Sequence, residues 1–158
     1  MSKASAPRFD PAAIKRAADA AGAKCYARGE GYFQQGQVAL LSISQDKVIA
    51  RAFGSETYAV RLTGEAMRIE GECTCPAFED AGFCKHMVAA MLTANAAFAA
   101  GEKPDDRCAA IEAHLQALGH AELVGLITRL AETTPSLFRR LAADAGQPCP
   151  DDNFDEDW

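Results

Sequence analysis

Residues 72–86 read ECTCPAFEDAGFCKH, which puts three of the chain's six cysteines and one of its three histidines into fifteen positions. By spacing this is Cys73-x-Cys75, eight intervening residues, then Cys84-x-His86. A strand alternates its side chains, so Cys73 and Cys75 point to one side and can chelate a single ion. Pro76 then ends the strand, because it has no N–H to give to a ladder. Cys84 and His86 are also two apart, a spacing that on a helix separates side chains by about 200°. They converge only if Cys84 lies in a turn and His86 in the first helical turn, and Gly82 supplies conformational freedom just upstream.

Three sulfurs and one nitrogen make a closed tetrahedral donor set, the usual form of structural zinc. Thiolates also suit a helix N-terminus, where free amides and the dipole favour negative charge. An iron–sulfur cluster ordinarily takes four cysteines. A redox device, or free buried cysteines beside a surface histidine, are the other readings, and the tight spacing favours metal over both. With 158 residues, 49 % hydrophobic and 24 % charged, the chain can build a core, so a metal need not hold the whole fold. No apolar run approaches the roughly 18 residues of a membrane helix. The opening MSKASAPRFDPAA has no hydrophobic stretch after its basic residues, so it does not read as a secretory signal. The expected location is cytoplasmic, where clustered cysteines bind metal more often than they pair.

Along the chain, residues 1–9 read as a loose tail. Asp10-Pro11 is a helix start, with Ile14, Ala17, Ala18 and Ala21 as the apolar face and Gly22 as the stop. A second helix through KCYARGEGYFQQG is weakened by Gly29 and Gly31. From Val38 four runs of strand length follow, VALLSIS, KVIARAF, ETYAVRLT and AMRIEGEC, and the short turns between them favour an antiparallel meander. In the third run Tyr58, Val60 and Leu62 share a face. In the fourth Met67, Ile69, Gly71 and Cys73 share the inward one. After Cys84 the pattern is helical to about Ala100, with Met87, Met91, Ala94 and Phe98 in one stripe. Past GEKPDD three helices are expected. Asp106–Leu118 turns Cys108, Ile111, Leu115 and Leu118 inward, Ala121–Glu132 turns Leu123, Ile127 and Leu130 inward, and Pro135–Ala145 does so with Leu137, Phe138 and Leu141. Thr134 caps the last and Gly146 ends it. From Gln147 the chain reads as a disordered acidic tail.

The segment CTCPAFEDAGFCKHMVAAML resembles a SWIM zinc finger, whose pattern is Cys-x-Cys, a variable spacer, then Cys-x-His. Upstream, GYFQQGQVALLSISQDKVIARAFGSETYAVRL is similar to bacterial members in its Tyr-Phe-x-x-Gly-x-Val and Gly-Ser-x-x-Tyr-x-Val. The likeness covers roughly residues 30–100 and extends loosely to about 145. It implies a β-β-α zinc fold and a role in binding DNA or protein. The family often accompanies chromatin-remodelling-type ATPases and Mutator-type transposases.

No Walker A loop, dinucleotide fingerprint, G-x-S-x-G or His-Glu-x-x-His occurs. The expectation is therefore a non-enzyme, with any associated ATPase acting in trans. His114 and His120 read as solvated or capping. Cys25, Cys108 and Cys149 do not cluster. Cys108 reads as core, and Cys149 lies in the tail. The net charge of −6 is uneven. Residues 1–50 carry seven basic and four acidic groups, whereas the last eight residues, DDNFDEDW, carry five carboxylates and no cation. Lys15, Arg16, Lys24 and Arg28 beside Tyr26, Tyr32 and Phe33 could meet phosphates and bases, or could be a solvated helix face beside core aromatics.

The expected fold is α+β, an antiparallel meander with a zinc-bound β-β-α unit followed by a small helical bundle. Its parts are an N-terminal helical segment (1–36), sheet plus zinc finger (37–100), C-terminal helices (105–146) and tail (147–158). One structural Zn2+ is expected on Cys73, Cys75, Cys84 and His86, in a protein-interaction adaptor that uses no membrane and no small-molecule substrate. A DNA- or RNA-binding accessory protein is the alternative.

Overall fold

A computed structural model describes residues 7–44, 47–64, 66–102 and 106–147. Asp10 caps helix α1 (Pro11–Ala21) by accepting from the Ala13 amide at 2.8 Å, and Gly22 ends it with a φ of 145°. Helix α2 (Cys25–Gln34) follows directly. Its Gly29 is a packing residue, since a Cβ there would lie 2.4 Å from Val88 Cβ and 2.7 Å from the Lys85 carbonyl oxygen. A glycine that looks like a helix weakener in sequence is thus what lets two helix backbones approach closely.

Strands β1 (Val38–Ile43), β2 (Lys47–Phe53), β3 (Thr57–Thr63) and β4 (Glu70–Cys73) form one antiparallel sheet in the order β1-β2-β3-β4. The fold is α+β, with the expected meander. A bulge between Leu40 and Ser42 shifts the β1–β2 register. Buried Ser42 then donates to the Asp106 carboxylate at 2.8 Å and accepts from the Cys108 amide at 3.1 Å. Val60 faces Cys73 across β3–β4, and Val48, Ala50, Ala52, Val60 and Leu62 are fully buried on one face.

Two expectations are corrected at this sheet. The fourth strand starts at Glu70 rather than Ala66, and Met67 is 69 % exposed instead of inward. The reason lies at the other end of the chain. Ala66 exchanges backbone hydrogen bonds with the Arg8–Asp10 segment (Asp10 N to Ala66 O at 2.9 Å, Ala66 N to Arg8 O at 2.8 Å) and adopts a positive φ of 51°, which swings Met67 outward. Residues 8 and 9 are accordingly no loose tail. Phe9 is fully buried, and the Asn95 side-chain amide bonds both its N–H and its C=O.

The spacer between the cysteine pairs holds a short helix, α3 (Pro76–Ala81), which the sequence reading lacked. Pro76 ends the strand by opening this helix, and Gly82 closes it at φ 65°. Helix α4 (Lys85–Ala99) is buried on most sides, through Met87, Val88, Ala89, Ala90, Met91, Ala94 and Ala97. Burying aliphatic and thioether side chains of this size is worth about 1.5–3 kcal/mol each, so the core of α1, α2, α4 and the sheet is substantial without any metal.

The chain divides into two compact units, Met1–Ala110 and Ile111–Trp158. The remaining helices are α5 (Arg107–Ala117), α6 (His120–Thr133) and α7 (Pro135–Asp144), with α6 packed on α7. Glu122 reaches back to the Gly119 amide at 2.8 Å and caps α6. Thr134 stands at the start of α7 but makes no side-chain cap bond. Several positions expected inward are exposed, among them Ile111 at 58 %, Leu130 and Phe138 at 49 % and Ile127 at 45 %. Three short helices offer too little opposing surface of their own to cover these stripes. The acidic tail, with Cys149, lies outside the described residues.

The Gly29 contact gives a test with an internal control. Gly29→Ala is expected to destabilise the chain by about 1–3 kcal/mol through overpacking against Val88. Gly31→Ala meets only the flexible Gln35 amide at 3.9 Å and should stabilise by about 0.5–1 kcal/mol. Urea unfolding of the two variants checks the pair.

Candidate metal centre

The four donors arrive on three elements. Cys73 ends β4, Cys75 sits at the N-cap of α3, Cys84 at the N-cap of α4, and His86 in the first turn of α4. Neither N-cap cysteine spends its side chain on a cap hydrogen bond, so both thiols are free to turn toward the cluster. The Cys73–Cys75 knuckle is tied to β3 by Thr74, whose amide donates to the Ala59 carbonyl at 3.1 Å while its hydroxyl accepts from the Ala59 amide at 2.9 Å.

All four side chains are buried, and their ligand atoms lie within 4.8 Å of one another. His86 Nδ1 faces the sulfurs, 3.8 Å from Cys73 and 3.9 Å from Cys84. A tetrahedral zinc with Zn–S of about 2.3 Å and Zn–N of about 2.0 Å separates its ligands by roughly 3.6–3.8 Å. The two nitrogen–sulfur distances are close to that spacing. The four residues form a candidate site for one zinc ion.

The imidazole is held from both sides. Tyr58 stacks on it with ring centroids 4.6 Å apart, and Tyr32 meets it edge-on at 5.2 Å. The alternation puts Tyr58 on one face with Val60 and Leu62 and does not by itself connect it to the site. The signal was the register, because once Val60 opposes Cys73, Tyr58 falls on the same face beside Cys75. Tyr32 is half-buried, and the Lys85 ammonium sits 4.9 Å from its ring centre. His86 Nε2 is buried and has no hydrogen-bond partner among the described residues.

The thiols are electrostatically unequal. A hydrogen bond from Cys73, followed by one from His86, pulls Cys84 down to about 4 despite its burial. Cys73 is pushed far up, first by donating to Cys84 and then by burial, and burial likewise raises Cys75. Without metal, Cys84 carries the negative charge and its neighbours keep their protons. A fifth sulfur, Cys25, lies near the site. Burial, then the charges of Cys84 and Cys75, push its thiol to about 11.

The family model of the SWIM zinc finger matches residues 69–95, the family that the motif resembles. The matched stretch covers β4, α3 and most of α4, with all four donors inside it. No curated protein and no solved structure matches the chain.

Elemental analysis of the purified chain is expected to give about one zinc per molecule, and Cys84→Ser should lower that sharply. Loading at neutral pH must displace protons from Cys73 and Cys75 but none from Cys84. Metal affinity should therefore rise by about a hundredfold per pH unit between roughly pH 7 and 8, and weaken correspondingly as the pH falls. Competition with a chromophoric chelator measures the slope, and a slope near zero would contradict the protonation pattern. In the same assay Tyr58→Ala should weaken binding by about tenfold, because the imidazole loses the ring that orients it.

Proposed function

We propose that this chain is a non-catalytic zinc-binding module that serves as a protein-interaction adaptor. The observation that carries the reading is the unpartnered apolar surface of the second unit. Ile111, Val124, Ile127, Leu130 and Phe138 are each 45 % exposed or more, while Ala131 is the buried hydrophobic residue of α5–α7. Large apolar side chains left exposed on helices in this number mark a protein-binding surface. The metal centre supports a structural role. Four buried protein donors saturate a tetrahedral ion and leave no position for water or substrate. Among the described residues no helix is long and apolar enough to cross a membrane, so the exposed stripe is not a spanning segment. An ATPase acting in trans is the partner class that the SWIM resemblance suggests.

A nucleic-acid-binding accessory role is the second reading, favoured by Lys24, Arg28 and Lys85, which line one groove. The acidic total of −6 weighs against it, since nucleic-acid affinity rests on neutralising phosphates.

The expected result is that the tagged chain retains a discrete protein partner and that Leu130→Asp loses it with zinc content unchanged. Titration with duplex and single-stranded DNA at low and high salt should show only weak binding. Micromolar affinity with a steep salt slope would reverse the ranking, and turnover of a substrate would remove both readings.

A further inference from the structure

A groove of about 480 Å3 opens in the first unit between the α1–α2 turn and the starts of α3 and α4. Lys24, Arg28 and Lys85 line it beside Ala77, Ala81 and Phe83; no carboxylate is among its lining residues, and the one acidic group there is the thiol of the metal ligand Cys84, next to Cys25. Among the described residues none of the three cations forms an ion pair. Their convergence is not dictated by the metal site, because Lys24 and Arg28 come from the α1–α2 region, which supplies none of the four donors. Like charges gathered in one concavity repel one another, and an anion placed among them relieves that repulsion. Helix α2 begins at this groove with no side-chain cap on its first amides, which adds a favourable field for negative charge, whereas the first amides of α4 serve the Cys84 sulfur.

We infer that this groove is the docking site for an acidic peptide segment of the protein partner. The inference rests on the adaptor reading for its kind of occupant and adds a second surface on the other unit. Three features select a peptide over nucleic acid. The lining offers no exposed aromatic ring for base stacking, since its one aromatic, Phe83, is buried. The groove, at about 480 Å3, suits two or three neighbouring carboxylates rather than a tracked backbone. The chain's net charge of −6 opposes a long polyanion beyond the groove. Small apolar lining residues leave room for the aliphatic stems of glutamates beneath their carboxylates.

The probe is a fluorescent acetylated hexaglutamate peptide, titrated into the zinc-loaded full chain and followed by anisotropy and backbone amide shifts. Shifts are expected at Lys24, Cys25, Arg28 and Lys85, with affinity falling several-fold between about 20 and 200 mM salt. Lys24→Gln and Arg28→Gln should each weaken binding by about three- to fivefold, and the triple variant with Lys85→Gln should abolish it. Zinc content and the remaining amide spectrum should stay unchanged, which separates lost charge from lost folding. Arg51→Gln, at an exposed position of β2, should have no effect. Binding insensitive to the triple variant overturns the inference. So does tighter binding of a DNA oligonucleotide through the same cations. Peptide binding that emerges only after removal of Asp151–Trp158 also overturns it, by making the chain's own acidic end the occupant. None of these outcomes involves α5–α7, so failure here is distinguishable from failure of the Leu130 experiment.

Discussion

The close crossing of α2 and α4 at Gly29 and Val88 is the constraint on which the metal site and the core both depend. It brings α2 near enough for Tyr32 to reach the His86 ring, while β3 supplies Tyr58 from the other side. One imidazole is thus positioned by a helix, a strand and its own helix at once. The same α4 continues past His86 into Met87, Val88 and Met91, which fill the core. A side chain with two flanking rings and a fixed backbone has few rotamers to lose on binding metal, which is how packing becomes affinity. Metal binding and folding are coupled here through shared residues, although the first unit has apolar burial of its own.

Four donors already fill the tetrahedral set of a structural zinc, and their charge must be offset. Three thiolates and a neutral imidazole around a dication leave one net negative charge in a buried place, which the amides at the start of α4 help to offset. A fourth thiolate would double that charge. Burial first, and then the charges of Cys84 and Cys75, push the thiol of nearby Cys25 up to about 11. Thiolate, not thiol, is the ligand and the nucleophile.

The local pattern was legible and the distant pairings were not. Asp10-Pro11, the four strand runs, the helix opening at Cys84 and the four donors could all be read from neighbours within a few residues, because caps, alternation and metal spacing are local rules. Phe9, Met67 and Tyr58 were misplaced or left unconnected because each depends on a partner far along the chain. Phe9 needs Asn95, Met67 is turned by the pairing of Ala66 with the Arg8–Asp10 segment, and Tyr58 acquires its role only once β3 and β4 are in register. Gly29 is the clearest case. Helix propensity marks it as a weakness, and only the position of Val88 shows it as a requirement. The C-terminal stripes failed for another reason, since periodicity identifies an apolar face but not whether anything in the same chain covers it.

That last failure bears on how the protein is organised. In the first unit the apolar residues that periodicity selects on α1, β2, β3 and α4 are largely buried, so its sequence is spent on its own order. In the second unit the same kind of residue, at the same helical spacing, stays exposed. A chain free of outside demands would tend to lose such side chains to polar substitutes, since exposed stripes on short helices add little stability and invite association. On the adaptor reading the contrast has a physical basis. The metal and the α2–α4 crossing give the first unit a rigid frame, so the second unit can leave its apolar face uncovered for a partner.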